Sequence, residues 1–211
     1  MKKLSPIALV VFVLIAGARS AHTGDTDALA TKISWFAPQG GYEFGDLCHR
    51  ARIPCGFEAL AAPGPVIRKG ITGRDQTVQT LLDKLVAGPL KDYIWRMNDG
   101  VAELLPRRAD GQKSTSPLDT RIAAVDFENE YDWRAAEQIC EKAGVARHTS
   151  HSFGGVTGHG KISVHLRDVT IREALDAIVR KDGQSMWVFY PYQKTHIIYL
   201  QSWRPYEPTV K

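Results

Sequence analysis

Residues Lys161–Leu200 read KISVHLRDVTIREALDAIVRKDGQSMWVFYPYQKTHIIYL. Ile162, Val164 and Leu166 alternate with polar residues, which predicts a strand with one buried face. Thr170 stands three residues before Glu173, the spacing of a capping box, so a helix should start there. Ile171, Ala174, Leu175, Ile178 and Val179 then recur at i, i+3, i+4, i+7 and i+8, one apolar stripe along that helix. Gly183 supplies its stop. Ser185–Leu200 reads as two further strands joined by a short turn, a hairpin.

The same pattern occurs about 93 residues earlier, a self-similarity that marks an internal duplication. Arg167, Asp168 and Thr170 answer to Arg74, Asp75 and Thr77, and Leu175, Asp176 and Val179 to Leu82, Asp83 and Val86. The earlier stripe is Val78, Leu81, Leu82, Leu85 and Val86. Trp95 answers to Trp187, and the earlier hairpin turns at Asn98-Asp99-Gly100, a strong turn signal between two strand-like runs. Upstream, Phe44, Leu47, Cys48 and Ala51 match Ala136, Ile139, Cys140 and Ala143, each set on one helix face.

The chain of 211 residues therefore reads as α+β: two tandem βαβ-βαββ units, each with two helices packed on small sheets. The first spans 31–105 and the second 119–201. Strands are expected at Lys32–Ala37, Ile53–Ala59 and Val66–Thr72, with a first helix over Tyr42–Arg52. Residues 106–118 (PRRADGQKSTSPL) are polar and lack apolar periodicity, so they read as a linker. In the second unit a strand at Arg121–Phe127 precedes a helix over Trp133–Ala143 that Asp132 can cap. Residues 202–211, with Pro205 and Pro208, read as an irregular tail.

Residues 1–21 have the layout of a secretory signal peptide. Lys2 and Lys3 precede the apolar run Ile7–Ala18, and cleavage is expected near Ala18–Ala21. The run is short for a bilayer span, so no stable membrane insertion is expected after cleavage. The expected location is the periplasm or the exterior. The formal charge of +4 comes from 27 basic and 23 acidic residues. Removal of the leader lowers it to about +2 or +1, which gives no footprint for nucleic acid.

On Ile162–Leu166, Val169–Ile178 and the hairpin Ser185–Leu200, each unit resembles the short N-terminal domain of secretins and TonB-dependent transducers. The resemblance covers most of residues 120–201 and, more loosely, 31–105. It implies a periplasmic or cell-envelope docking module that meets another envelope protein, here without a pore or barrel of its own. No catalytic residues and no cofactor accompany that reading.

The motifs that could carry chemistry point the same way. Gly155–Lys161 (GVTGHGK) fits the spacing of a phosphate-binding loop, but a strand and not a helix is expected after it, so a glycine-rich loop is the better reading. His148, His151, His159 and His165 cluster in sequence without the spacing of a standard metal site, and His165 is expected to face solvent. The alternative function is a small-ligand or metal-binding periplasmic protein using the Gly/His-rich loop 147–160, whose length exceeds ordinary connections. Cys48 and Cys140 hold equivalent helix positions and read as small buried hydrophobes. Cys48 and Cys55 could form a disulfide, which an oxidising compartment permits. Asp126, Glu128 and Glu130 read as a solvated strand edge. Serine-hydrolase and zinc-protease motifs are absent from the sequence, and no enzymatic activity is expected. Trp187, Phe189, Tyr190 and Tyr192 concentrate in the second hairpin. They are the expected partner contacts, on an edge strand that receives another chain by strand addition.

Overall fold

The computed structural model describes residues 23–34, 43–60, 71–108, 116–145, 147–148 and 160–203. The signal segment expected at 1–21 lies outside them, as do the His-rich loop from 149 to 159 and the tail from 204.

The first half runs α1 (Thr23–Ala30), β1 (Lys32–Ile33), α2 (Glu43–Ala51), β2 (Cys55–Glu58), β3 (Gln76–Thr77), α3 (Val78–Ala87), β4 (Tyr93–Asn98) and β5 (Val101–Pro106). After a 3-10 turn at Pro117–Asp119 the second half runs β6 (Arg121–Tyr131), α4 (Asp132–Lys142), β7 (Arg147–His148), β8 (Lys161–Thr170), α5 (Ile171–Asp182), β9 (Ser185–Tyr192) and β10 (Thr195–Ser202). The mixed α+β class expected from the pattern is the class observed.

Local chemistry places the helix ends. Thr170 accepts from the Glu173 backbone N–H at 3.2 Å while its own N–H donates to Glu173 Oε2 at 2.8 Å, the reciprocal pair of a capping box. Gly183 closes α5 in the left-handed region at φ 69. Thr77 caps α3 by accepting from Thr80 N–H at 3.2 Å. The Asp99-Gly100 turn has φ 48 and 82, both positive as a two-residue hairpin of this kind requires. Asp132 differs from expectation. The cap position is Tyr131, and Asp132 is the first helical residue, accepting from Trp133 N–H at 2.8 Å.

The pairings in the two halves correspond. β1 pairs β3 antiparallel as β6 pairs β8, the hairpin β4–β5 corresponds to β9–β10, and β2 runs parallel to β5 as β7 does to β10. The helices also start alike: Val78 N–H donates to Thr31 O and Ile171 N–H to Thr120 O, both at 3.0 Å.

The sheets are where the expected architecture changes. Instead of a separate small sheet in each half, six strands form one sheet in the order β4-β5-β2-β9-β10-β7. The join is β2 running parallel to β9, with Cys55 opposite Met186, Gly56 opposite Trp187, Phe57 opposite Val188 and Glu58 opposite Phe189. Alternation along strands then sends side chains to two faces. Cys55, Phe57, Leu104, Met186 and Val188 enter one core with α2 and α3. Val101, Trp187, Phe189, Ile198 and Leu200 enter a second core with α4 and α5. The long β6–β8 ribbon adds Val125, Phe127, Ile162 and Val164 to that second core. Each half thus supplies the helices for one face of a common sheet.

Other boundaries shift. The helix α1 has little apolar periodicity and was not expected. The strand before α3 is Gln76–Thr77, whereas most of the expected Val66–Thr72 lies outside the described residues. The residues expected as a linker join the neighbouring elements where they are described: Pro106 closes β5, and Leu118 in the 3-10 turn is fully buried.

Candidate functional site

Trp187 donates its indole N–H to Asp176 Oδ1 at 2.8 Å, and in the first half Trp95 donates to Asp83 Oδ1, also at 2.8 Å. Helix and hairpin are tied together identically twice. What differs is the neighbour. Trp187 lies beside β2 and is fully buried, whereas Trp95 lies on β4 and is half-buried with Asp83 exposed.

The covered site is a polar junction between the halves. Asp176, on α5, also accepts from Asn98 of β4 at 3.0 Å and faces Glu103 of β5 within hydrogen-bond reach. Burial first, and then the Glu103 carboxylate, push the Asp176 carboxyl well above its ordinary range; the bonds from Trp187 and Asn98 act in the opposite direction. Glu103 Oε1 is buried without a hydrogen-bond partner, so the two carboxyls share a site that disfavours two charges. The other oxygen of Glu103 accepts from Arg96. One turn earlier on α5, Arg172 bonds Glu58 of β2 at 2.6 Å and Asp119 at 3.2 Å. Burial works against the Arg172 charge, but Glu58, Asp119 and Glu103 more than offset it and raise its pKa above the ordinary value. Gly56 makes the strand contact possible, since a Cβ there would sit 2.0 Å from the Trp187 ring.

The open counterpart is β4. A two-residue hairpin closes with the hydrogen-bonded pair Asn98–Val101, so Asn98, Arg96 and Ile94 direct their backbone groups at β5, while Trp95 and Met97 direct theirs outward. Tyr93 is used locally: its N–H donates to Leu90 O at 2.9 Å and its carbonyl accepts from Arg107 at 3.1 Å. Among the described residues no strand pairs the outer side of Trp95 and Met97. The equivalent groups on β9 do find a partner, as where Ala59 N–H donates to Phe189 O at 2.8 Å. Beside β4, on the α5 face, Ile94, Arg96, Arg108 and Arg172 line a cleft of about 270 Å³, with Ile94 38% exposed.

The expected partner contacts distribute unequally. Trp187 and Phe189 are core residues at 0% and 1% exposure, Tyr190 is partly covered and Tyr192 stands in solvent at 45%. β9 is therefore not an edge: β2 covers one side and β10 the other. The sequence signal for the open strand was present in Trp95 and its Asp-Gly turn, but which of two alike hairpins is covered depends on how the halves pack.

Cys48, Cys55 and Cys140 are free and buried. Cys48 and Cys55 approach within hydrogen-bond reach, and burial, then Cys48, raises the Cys55 thiol well above its ordinary range. Burial pushes Cys140 up to about 12. His165 faces solvent as expected, between Asp126 Oδ1 at 3.2 Å and Glu128 Oε1 at 2.8 Å. Arg167, then His165, hold Asp126 below its ordinary range; Ser163, then His165, do so for Glu128. His148 lies on β7, and His151 and His159 lie outside the described residues. No group of potential metal ligands occurs among the described residues, and no described helix is long and apolar enough to cross a membrane. Comparison of the chain with protein-family models, with curated proteins and with solved structures finds no match.

Proposed function

We propose that this protein is an exported docking module of the cell envelope that binds another envelope protein through the open edge of its sheet. One observation carries the reading: among the described residues β4 leaves unpaired the same Trp–Asp-braced strand side that β9 pairs with β2. A bare strand edge is a template for pairing, and proteins ordinarily blunt it. The alikeness of the two halves, which we read as a duplication, supports it, because the covered edge then offers a precedent for pairing at the open one. The leader-like segment at residues 1–21 supports export and a periplasmic setting. The reading includes no catalysis and no cofactor.

In-cell crosslinking of the tagged mature chain, followed by mass spectrometry, tests it. Recovery of one envelope protein, lost when Ile94→Lys and Met97→Pro are introduced at β4 in a folded variant, is the expected result. Recovery of abundant bystanders alone would overturn it.

A further inference from the structure

The junction inside the chain shows what such an edge accepts. β2 lies parallel to β9, bonds the outward backbone of Trp187 and Phe189, and presents Gly56 beneath the Trp187 indole. That ring lies over its neighbour strand while its N–H is fixed by Asp176. Trp95 is fixed by Asp83 through the same bond at the same length. At the equivalent position on β4, Met97 takes the place of Phe189.

We infer that β4 receives a partner's extended segment as a parallel strand carrying glycine opposite Trp95, the chemistry that β2 presents to β9. This rests on the docking reading above and adds the identity of the accepted segment. The main-chain bonds give affinity in strand addition, and a position where no Cβ fits gives selectivity. The segment's residues on either side of the glycine fall on the opposite face. There Ile94 offers an apolar contact and Arg96 a charge already shared with Glu103. A second copy of this chain is a poorer occupant. Its own glycine-bearing strand, β2, is interior to the sheet, and the residue of β7 that corresponds to Gly56 is His148.

The probe is a capped synthetic peptide of sequence Ile-Pro-Ser-Gly-Phe-Glu-Ala, which copies residues 53–59 with serine for the cysteine, and a twin with valine for the glycine. Each is titrated into the isotope-labelled mature chain while backbone amides and indole N–H resonances are followed. The glycine peptide is expected to shift Trp95, Met97 and the Trp95 indole N–H. The valine twin should bind at least about tenfold more weakly, because a Cβ beneath the ring forces overpacking. Met97→Pro removes one outward N–H while leaving the β4–β5 bonds, and should weaken the glycine peptide similarly. Equal binding of the two peptides, shifts confined to another surface, or no shift at millimolar peptide would overturn the inference. So would self-association of the chain that Met97→Pro abolishes, since that would make a second copy the occupant. Crosslinking could still recover a partner in any of these cases, so the docking reading and this inference fail separately.

Discussion

Asp176 accepts the indole N–H of Trp187 at 2.8 Å and holds it beside a strand contributed by the other half of the chain. Asp83 and Trp95 repeat the bond at the same length where, among the described residues, no strand pairs alongside. The pair is at once the brace of each hairpin and the feature that makes its outer side a defined surface.

Asp176 should make the fold pH-sensitive. Its pKa is raised in the folded state by burial and by Glu103. The stability it contributes is therefore complete below the ordinary carboxylate range, near 4, and is lost as pH rises through the folded value. Arg96 and Arg172 flank Glu103, and Asn98, Trp187 and Cys55 complete the surroundings of Asp176. Asp176→Asn keeps a neutral amide in place of the protonated acid and removes the titration. Unfolding free energies from denaturant titrations across pH should fall for the wild type relative to the variant as pH climbs from about 4, by up to about 1.4 kcal/mol per unit within that window. Parallel curves would contradict a proton on Asp176.

Arg172 is buried with Glu58, and truncating one partner alone leaves a buried charge. Arg172→Met should cost about 3 to 5 kcal/mol in chemical denaturation. The double variant Arg172→Met, Glu58→Leu should recover most of that, since a well-packed apolar pair often equals a buried ion pair. Non-recovery would show that Asp119 or Glu103 depends on the guanidinium more than Glu58 does.

Gly56 admits no side chain while Trp187 keeps its place. Gly56→Val should destabilise by about 3 kcal/mol or more, through overpacking at the centre of the six-stranded sheet. Adding Trp187→Phe should restore part of the loss. An additive penalty from the two changes would mean that the ring is not what excludes the Cβ.

The three thiols should resist a disulfide reagent in the native chain at neutral pH and react on unfolding, because all are buried and Cys140 is pushed up to about 12. Under a mild oxidant Cys48 and Cys55 should join, read as the loss of two hydrogens from the peptide that contains both, while Cys140 stays a thiol. Alkylation of native Cys140 at the rate of an exposed cysteine would contradict its burial.

Much of this was legible in residues 161–200 alone. The capping box at Thr170, the stripe from Ile171 to Val179, the stop at Gly183 and the hairpin after it are properties of short stretches, whose backbone bonds close within a few residues. The match of Asp83 to Asp176 and Trp95 to Trp187 was also visible, because like residues recur at nearly the same spacing, 93 and 92 residues. These local signals determined the α+β class and the helix-then-hairpin order in each half; that each Trp is bonded to its Asp is a finding of the structure. The tertiary structure alone decided that two sheets become one, that Trp187 and Phe189 are core while β4 is the edge, and that Asp176, Glu103, Glu58 and Arg172 share a junction. Those outcomes depend on β2 meeting β9, a contact between strands some 130 residues apart in sequence, and nothing in the apolar periodicity of either strand specifies which neighbour it will have.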